Sequence, residues 1–332
     1  MERDNKIIIF LSWHNSLPGL IKNLYWGIPY QKYFICRNHI KPPRLFDNNL
    51  MTKSNSFSFN SDIEVIQKIK SLNATHVIVW NGDFDDEERG HQPIILNELK
   101  KFTKIIYCEH GWFPQKGIFV IDRKGTNGGS EHVEKNIIDE NINLNLIRIK
   151  QNEYIKDIKK PDANNYLFIP LQIKTDTQIV KYSPYFKDME SFIKHIVMLF
   201  QDKLIIIKPH PKDSIINKQN ILKECQKYTN TQYTESLNSI SWGYYSNGII
   251  AINSTIINEM LLFHKPIMTY GINYFSNKGV TYEVTSENIE EQRNFLNYKI
   301  NESNINKYLT SLLNLQFNSG NPDIIKTLKY FE

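Results

Sequence analysis

The hydrophobic pattern of this chain changes repeatedly from short apolar runs to helical spacing, most clearly in residues 248–271. Residues 249–252 are apolar and mostly β-branched, and this run ends at Asn253-Ser254-Thr255. Apolar residues then return at helical spacing (Ile256, Ile257, Met260 and Leu261) until Lys265-Pro266, and residues 267–270 are again apolar. The pattern predicts a buried strand, a tight turn, a helix and a second strand.

The turn in this stretch offers a candidate anion site. Ser254 or Thr255 would cap the helix, whose unpaired N–H groups and dipole favour a phosphate beside two hydroxyl groups. Glu259 follows about one helical turn later, where its carboxylate could reach a ribose diol if the phosphate belonged to a nucleotide. The alternative interpretation is an ordinary βαβ unit with a capped helix, since capping residues are common.

The rest of the chain repeats the alternation of strands and helices. Strands are predicted at residues 6–13, 33–36, 75–80, 104–108, 119–122, 166–170 and 203–207, and helices at 62–70, 93–102, 184–200, 215–228, 237–245 and from 289 onward. Residues 44–60 show no clear period and are predicted to be a loop, and the glycine-rich stretch 125–130 is predicted to be a mobile loop. The alternation predicts parallel sheets, and a break at Pro161-Asp162 predicts two domains, 1–162 and 163–332.

Polar residues follow several predicted strands, where ligands of open α/β sheets bind. In the first half they are His14, Asn81, Gly82, Glu109 and His110, and in the second half Gln172, Asp176, Lys208 and His210. Glu109 could act as a general acid or base, with His110 as its partner. The sequence Lys208-Pro209-His210-Pro211 presents a cation and an imidazole that suit a phosphate. Each residue could instead be a solvated loop or turn residue.

Composition narrows the function classes. The chain has 332 residues, 41% of them hydrophobic and 23% charged, which allows two domains with real cores. A net charge of +5, with cations scattered among anions, does not imply nucleic-acid binding and remains compatible with an anionic substrate or a membrane surface. Three separated cysteines argue against a disulfide framework or zinc site, and no metal site is expected. The absence of a convincing signal peptide or transmembrane stretch predicts a cytoplasmic protein.

Several of these motifs, in this order, resemble the retaining β-Kdo transferases and related capsule-polysaccharide transferases of bacteria. The likeness rests on Glu109-His110-Gly111, Pro170-Leu171-Gln172 with Asp176, Lys208-Pro209-His210-Pro211, and Ser254-Thr255 with Glu259, Lys265-Pro266 and Tyr270-Gly271. Together these motifs span roughly residues 76–285. The resemblance implies an α/β GT-B fold, in which two Rossmann-like parallel-sheet domains face a central cleft.

The resemblance also implies roles at the matching positions. Asp176 matches the family's nucleophile, which forms a covalent sugar adduct, and Glu109 matches its acid/base glutamate. Lys208, His210, Ser254, Thr255 and Glu259 match the nucleotide side. By their positions after predicted strands, His14, Asn81, Gly82 and Gln172 are expected to contact the substrate. His110 stands where the family often has an acidic residue, which leaves open whether the donor sugar is Kdo or another ulosonic acid.

The expected reaction is transfer of a sugar from CMP-β-Kdo, or a related CMP-sugar, to an oligosaccharide or glycolipid acceptor of a bacterial surface polysaccharide. No cofactor other than this donor substrate is expected, and peripheral association with the inner membrane is compatible with the role. Two other classes stay open. One is an inverting GT-B transferase or a nucleotide-sugar epimerase, and the other is a non-catalytic sugar-binding component of polysaccharide assembly.

Overall fold

The computed structural model describes residues 6–13, 19–37, 55–81, 85–86, 90–135, 141–285 and 289–332. The strands are β1 (Ile7–Ser12), β2 (Gln31–Arg37), β3 (Ser56–Phe59), β4 (His76–Trp80), β5 (Asp85–Asp86), β6 (Gly90–His91), β7 (Lys104–His110), β8 (Ile118–Asp122), β9 (Tyr166–Pro170), β10 (Leu204–Lys208), β11 (Thr231–Tyr233), β12 (Gly248–Ala251), β13 (Ile267–Thr269), β14 (Tyr282–Glu283) and β15 (Phe317–Asn318). The helices are α1 (Lys22–Gly27), α2 (Asp62–Ser71), α3 (Gln92–Leu99), α4 (Leu144–Ile155), α5 (Thr177–Tyr182), α6 (Met189–Leu199), α7 (Ile215–Cys225), α8 (Ser239–Tyr245), α9 (Ile256–Met260), α10 (Ile289–Arg293), α11 (Glu302–Leu315) and α12 (Ile324–Leu328).

The chain forms two compact units. Unit 1 comprises Met1–Thr126 and Leu315–Glu332, and unit 2 comprises Asn127–Asn314. Among the described residues, no helix has the length and apolar content needed to cross a bilayer.

Unit 1 is built on a seven-stranded sheet in the order β15-β8-β7-β4-β1-β2-β3. The five strands from β7 to β3 are parallel, whereas β8 and β15 run antiparallel to their neighbours. Side chains on β1 alternate between two cores. Ile8 and Phe10 pack with α1, whereas Ile9 and Leu11 pack with α2 and α3. Because both faces are covered, the strand reads as a continuous apolar run.

Unit 2 contains a six-stranded parallel sheet in the order β11-β10-β9-β12-β13-β14. Leu167 and Ile169 of β9 pack in one core with the apolar stripe of α6, which includes Phe192 and Ile196. The stripe predicted from helical spacing therefore covers this face of the sheet.

A predicted loop and the start of a predicted helix differ from the structure. Residues 44–60 were predicted to be a loop. Residues 44–54 lie outside the described part of the chain, but residues 56–59 form β3, in which Phe57 and Phe59 pack on the unit 1 core. The alternation of serine and phenylalanine is the period of a half-buried edge strand. The helix predicted from residue 184 begins at Met189, because Asp188 caps it by accepting a 2.6 Å hydrogen bond from Ser191 N.

The boundary between the two units lies at residue 126, earlier than the predicted residue 162. The C-terminal segment from residue 315 belongs to unit 1. The segment before residue 163 belongs to unit 2, since Lys278 Nζ donates to Val133 O at 2.7 Å and Gln151 Nε2 to Leu262 O at 2.6 Å. At the other end, Phe317 pairs with Phe119 in the sheet of unit 1. A fragment beginning at residue 163 would therefore cut through unit 2.

The glycine-rich stretch predicted to be mobile is a packed turn. Asn127–Gly129 is a short 3-10 helix, and Gly128 N donates to Gln178 Oε1 at 3.2 Å. A Cβ at Gly128 would overlap the ring of Tyr182, so the turn requires glycine at this position. These contacts bind the start of unit 2 to α5.

Candidate functional site

The strand order creates a topological switch point in each unit. In unit 2 the chain leaves β9 toward β10 and β11 on one side, whereas β12 and β13 lie on the other side. In unit 1, β1 has β2 on one side and β4 on the other. Open α/β sheets bind ligands beyond the carboxyl ends of the strands at such a point. The residues that follow β9 and β12 are therefore the candidate site of unit 2.

Asp176 follows β9 and is the N-cap residue of α5. Its Oδ1 accepts a 2.8 Å hydrogen bond from Gln178 N. Burial raises the pKa of this carboxyl group, whereas the bond from Gln178 N and the charge of His210 act to lower it. The result is a fixed carboxylate that is more basic than a free aspartate, which suits a nucleophile as well as a helix cap.

His210 follows the neighbouring strand β10 and interacts electrostatically with Asp176. Burial lowers the pKa of His210, whereas Asp176 and Asp213 act to raise it. Its Nδ1 accepts a 3.2 Å hydrogen bond from Lys212 N, which fixes the ring within its loop. The structure therefore places together two residues that the sequence assigned separately to the nucleophile and the nucleotide.

Lys208 is buried at the end of β10, and its ammonium group ties two loops together. Its Nζ donates to Glu235 O at 3.0 Å and to Ser236 O at 3.1 Å. Burial is the main cause of a lowered pKa at this lysine. The predicted contact with a phosphate would have to use the third N–H, because these two carbonyl groups occupy the others.

Gln172, predicted to contact the substrate, uses both ends of its amide group inside the protein. Its Nε2 donates to Asn253 Oδ1 at 3.0 Å, and its Oε1 accepts from Asn253 N at 3.2 Å. Asn253 is fully buried and also donates from Nδ2 to Gln178 O at 2.8 Å. These bonds join the loops after β9 and β12 across the switch point. Asn253 is thus a positioning residue that the sequence pattern did not single out.

Replacing Asn253 with alanine is expected to destabilise unit 2 by about 2–4 kcal/mol, because it leaves the buried amide of Gln172 unpaired. Thermal unfolding followed by circular dichroism would show this as a lower transition temperature. Asn145→Ala, on the exposed side of α4, is the control and should leave the transition unchanged. An Asn253→Ala transition equal to that of the parent would contradict the linking role.

Ser254 and Thr255 follow β12 and lead into α9, which has only five residues. The predicted side-chain cap is not found. Thr255 is the N-cap residue, but it is already helical (φ −62°, ψ −20°) and its side chain makes no capping hydrogen bond. Capping side chains normally act from an extended N-cap conformation, which explains the difference.

Glu259 lies on α9 with a relative accessibility of 9%, and it accepts a hydrogen bond from the hydroxyl group of Tyr154. Burial raises the pKa of Glu259 to about 7, although the bond from Tyr154 opposes this shift. Tyr154 is located on α4, which the sequence placed in the first domain. Helical spacing alone gave no signal for this pair.

Glu109 and His110 end β7 in unit 1. Glu109 is half-buried, and its Oε1 accepts a 2.7 Å hydrogen bond from His110 N. His110 is exposed, and its ring packs edge-on to Trp80 of β4 with centroids 5.1 Å apart. Glu109 and His110 therefore lie together at the carboxyl end of β7, beside the end of the neighbouring strand β4.

The loop that follows Glu109 and His110 is held in place by close packing at Gly111 and by a side chain of the C-terminal segment. A Cβ at Gly111 would overlap Ile118, whose carbonyl oxygen accepts a 2.9 Å hydrogen bond from Gly111 N. Gln316 Oε1 accepts from Trp112 N and Phe113 N at 3.4 and 3.3 Å. Gln316, about 200 residues further along the chain, is another positioning residue that local patterns could not reveal.

The remaining predicted residues of unit 1 follow β1 and β4. The backbone of Asn81 is in the left-handed conformation (φ 64°), and its N–H donates a 3.0 Å hydrogen bond to Cys108 O. Its Oδ1 is buried and has no hydrogen-bond partner among the residues that the structure describes. His14 and Gly82 lie outside the described residues.

Comparisons with known proteins agree with the fold. The structure is similar to a β Kdo 2,7 transferase, KpsC, from Thermosulfurimonas dismutans, with a TM-score of 0.61 and 16% identity over 97% of this chain and 98% of that chain. It is also similar to the KpsC β Kdo 2,4 transferase of the same organism, with a TM-score of 0.55 and 10% identity over 98% of each chain. The expected α/β GT-B fold class is confirmed.

Sequence comparison identifies the family. The protein FixF of Sinorhizobium fredii is 25% identical over 255 residues, which cover 71% of this chain and only 60% of FixF. The family model described as capsule polysaccharide biosynthesis protein matches residues 130–318, more than half of the chain, and includes Asp176, His210 and the 253–259 segment. The resemblance noted from the motifs is confirmed, and the chain belongs to the capsule polysaccharide biosynthesis protein family.

Proposed function

We propose that this protein is a retaining glycosyltransferase that moves a sugar, most simply Kdo from CMP-β-Kdo, to an acceptor of a bacterial surface polysaccharide or glycolipid. The observation that carries the proposal is the position of Asp176 at the start of α5, at the end of the loop that follows β9, the strand at the switch point of unit 2. A carboxylate that is fixed by a backbone hydrogen bond and made more basic by burial is suited to attack an anomeric carbon.

The proposed reaction has two displacements. Asp176 attacks the anomeric carbon of the donor, and the bond from that carbon to the phosphate of CMP breaks, so that CMP leaves with its electron pair. An acceptor hydroxyl group then attacks the adduct while Glu109 takes its proton, and the Asp176 carboxylate is released. Two inversions give net retention, as in retaining glycosidases.

The nucleotide is proposed to bind to unit 2, with its phosphate at Ser254 and Thr255 and its ribose at Glu259. His210 follows a strand of the same parallel sheet, and because its Nδ1 accepts from Lys212 N, its Nε2–H would donate a charge-assisted hydrogen bond to the phosphate. The support for this assignment is the placement of these residues after β10 and β12, on the side of the sheet where such folds bind nucleotides.

Removing both hydroxyl groups (Ser254→Ala with Thr255→Val) is expected to weaken CMP binding by about 1–3 kcal/mol, and His210→Ala is expected to have a similar effect. Calorimetric titration of the full chain would measure both changes. Ser61→Ala, which removes a capping hydroxyl group from α2 in unit 1, should leave the affinity unchanged. Unaltered CMP affinity in the double variant and in His210→Ala would remove the phosphate site from the proposal.

The experiment that tests the function is detection of the adduct. Glu109→Gln should slow only the second displacement, so incubation with CMP-Kdo should add the mass of one Kdo to the protein, on the peptide that contains Asp176. The double variant Glu109→Gln with Asp176→Asn should gain no such mass. Product formation from CMP-Kdo without any adduct, and with inverted configuration by NMR, would favour an inverting transferase instead.

A further inference from the structure

The pair formed by Tyr154 and Glu259 has features that helix packing alone does not require. Glu259 is a carboxyl group buried within unit 2, and its Oε1 accepts the hydrogen bond of the Tyr154 hydroxyl group. An apolar residue would fill the same space at lower cost, because a buried carboxyl group must be desolvated. Glu259 lies on α9, which directly follows the turn at the end of β12.

Tyr154 is held on a firmly anchored helix. One turn before it, Gln151 Nε2 donates to Leu262 O at 2.6 Å, which joins α4 to the turn that follows α9. At the start of α4, Asn143 N donates to Thr310 Oγ1 at 3.1 Å. The position of the tyrosine hydroxyl group is therefore fixed from both ends of the helix.

We infer that Tyr154 is a positioning residue for nucleotide recognition, which orients the Glu259 carboxylate so that it accepts hydrogen bonds from the ribose diol. The inference rests on the proposed function, which assigns the ribose to Glu259. An ionised carboxylate is an acceptor with about four lone-pair sites, so the bond from Tyr154 leaves capacity for hydroxyl donors of a sugar. Tyr154 contributes no ligand contact of its own.

The charges around the pair predict how it responds to pH. Burial raises the pKa of Glu259 to about 7, and the Tyr154 bond lowers it. Burial is the main cause of a raised pKa at Tyr154, and the charge of Glu153 on α4 raises this pKa further. Helix α8 and residues 261–263 also pack beside α9, and neither contains a charged residue. Tyr308 of α11 donates a 2.6 Å hydrogen bond to Asn258 Oδ1 of α9. Loss of the Tyr154 hydroxyl group therefore favours protonated Glu259 at neutral pH.

The test compares CMP with 2′-deoxy-CMP, because both carry the same phosphate and base. Calorimetric titration of the full chain from about pH 6 to about pH 8.5 brackets the pKa of Glu259. The parent protein should prefer CMP by about tenfold above the Glu259 pKa, and the preference should fall as the pH drops through that pKa. Tyr154→Phe should shift this fall to higher pH and reduce the preference at pH 7 several-fold.

Three variants control the test. Tyr228→Phe removes a similar hydrogen bond, 2.9 Å from Tyr228 Oη to Glu224 Oε1, and should leave the preference for CMP and its pH midpoint unchanged. Gln151→Ala loosens α4 without touching the carboxylate, so it should not reproduce the pH shift if the inference holds. Glu259→Gln should make the preference independent of pH, which keeps the test decisive if Tyr154→Phe does not fold.

The outcomes separate this inference from the proposed function. An unchanged pH midpoint and preference in Tyr154→Phe would overturn the positioning role, and a parent protein that does not distinguish the two nucleotides would overturn the ribose contact. Either result would leave the Asp176 adduct test standing. Failure of the parent protein to bind CMP at all would instead remove the CMP-sugar donor and this inference together.

Discussion

Asp176→Asn is expected to lower glycosyl transfer by at least about a thousandfold, because the amide cannot act as the nucleophile. Asparagine is also a good N-cap residue, so the 2.8 Å bond from Gln178 N can be kept and α5 should remain intact. The variant thus separates the two roles that the structure allows for this side chain. The measurement is the initial rate of product formation from CMP-Kdo, with CMP binding checked by calorimetry.

A second helix-capping aspartate provides the matched control. Asp188 caps α6 by accepting a 2.6 Å hydrogen bond from Ser191 N, in the same unit as Asp176. Asp188→Asn should leave the rate near that of the parent. If Asp176→Asn also keeps activity within about tenfold of the parent, Asp176 is a helix cap and not the nucleophile.

Glu109→Gln is expected to slow transfer to the acceptor by roughly a hundredfold to ten-thousandfold, the usual contribution of a general acid or base. Glutamine retains an oxygen that can accept the bond from His110 N, so the local geometry should survive. The limb of the pH–rate profile that reports the ionisation of Glu109 should disappear. A profile and rate that match the parent would contradict the acid/base role.

Azide offers a further test of the Glu109 assignment. As an anion that needs no deprotonation, azide should restore turnover of the adduct in Glu109→Gln and give a glycosyl azide. It should not restore activity in Asp176→Asn, which cannot form the adduct. Rescue of both variants, or of neither, would contradict the proposed division of roles.

The sequence alone determined the class of fold and the residues at the strand ends. Buried parallel strands are apolar on both faces, so β1, β4, β7, β9, β10 and β12 were all visible as short continuous runs, and Glu109, Asp176 and His210 became candidates because they follow such runs. These features are local, because a strand and the loop that leaves it are neighbours in the chain. The order of the motifs also pointed to the family that the comparison identified.

Contacts between distant residues were decided only by the tertiary structure. Strand order, and with it the switch point beside β9, depends on which strands pair, which apolar periodicity does not encode. The boundary at residue 126, the return of Phe317 to the first sheet and the linkage of Gln172 with Asn253 join segments that are far apart in the chain. Tyr154 and Glu259 are separated by 105 positions, and their pairing exists because α4 packs on α9. Such partners are selected by burial and hydrogen bonding in the folded chain, since no local period relates them.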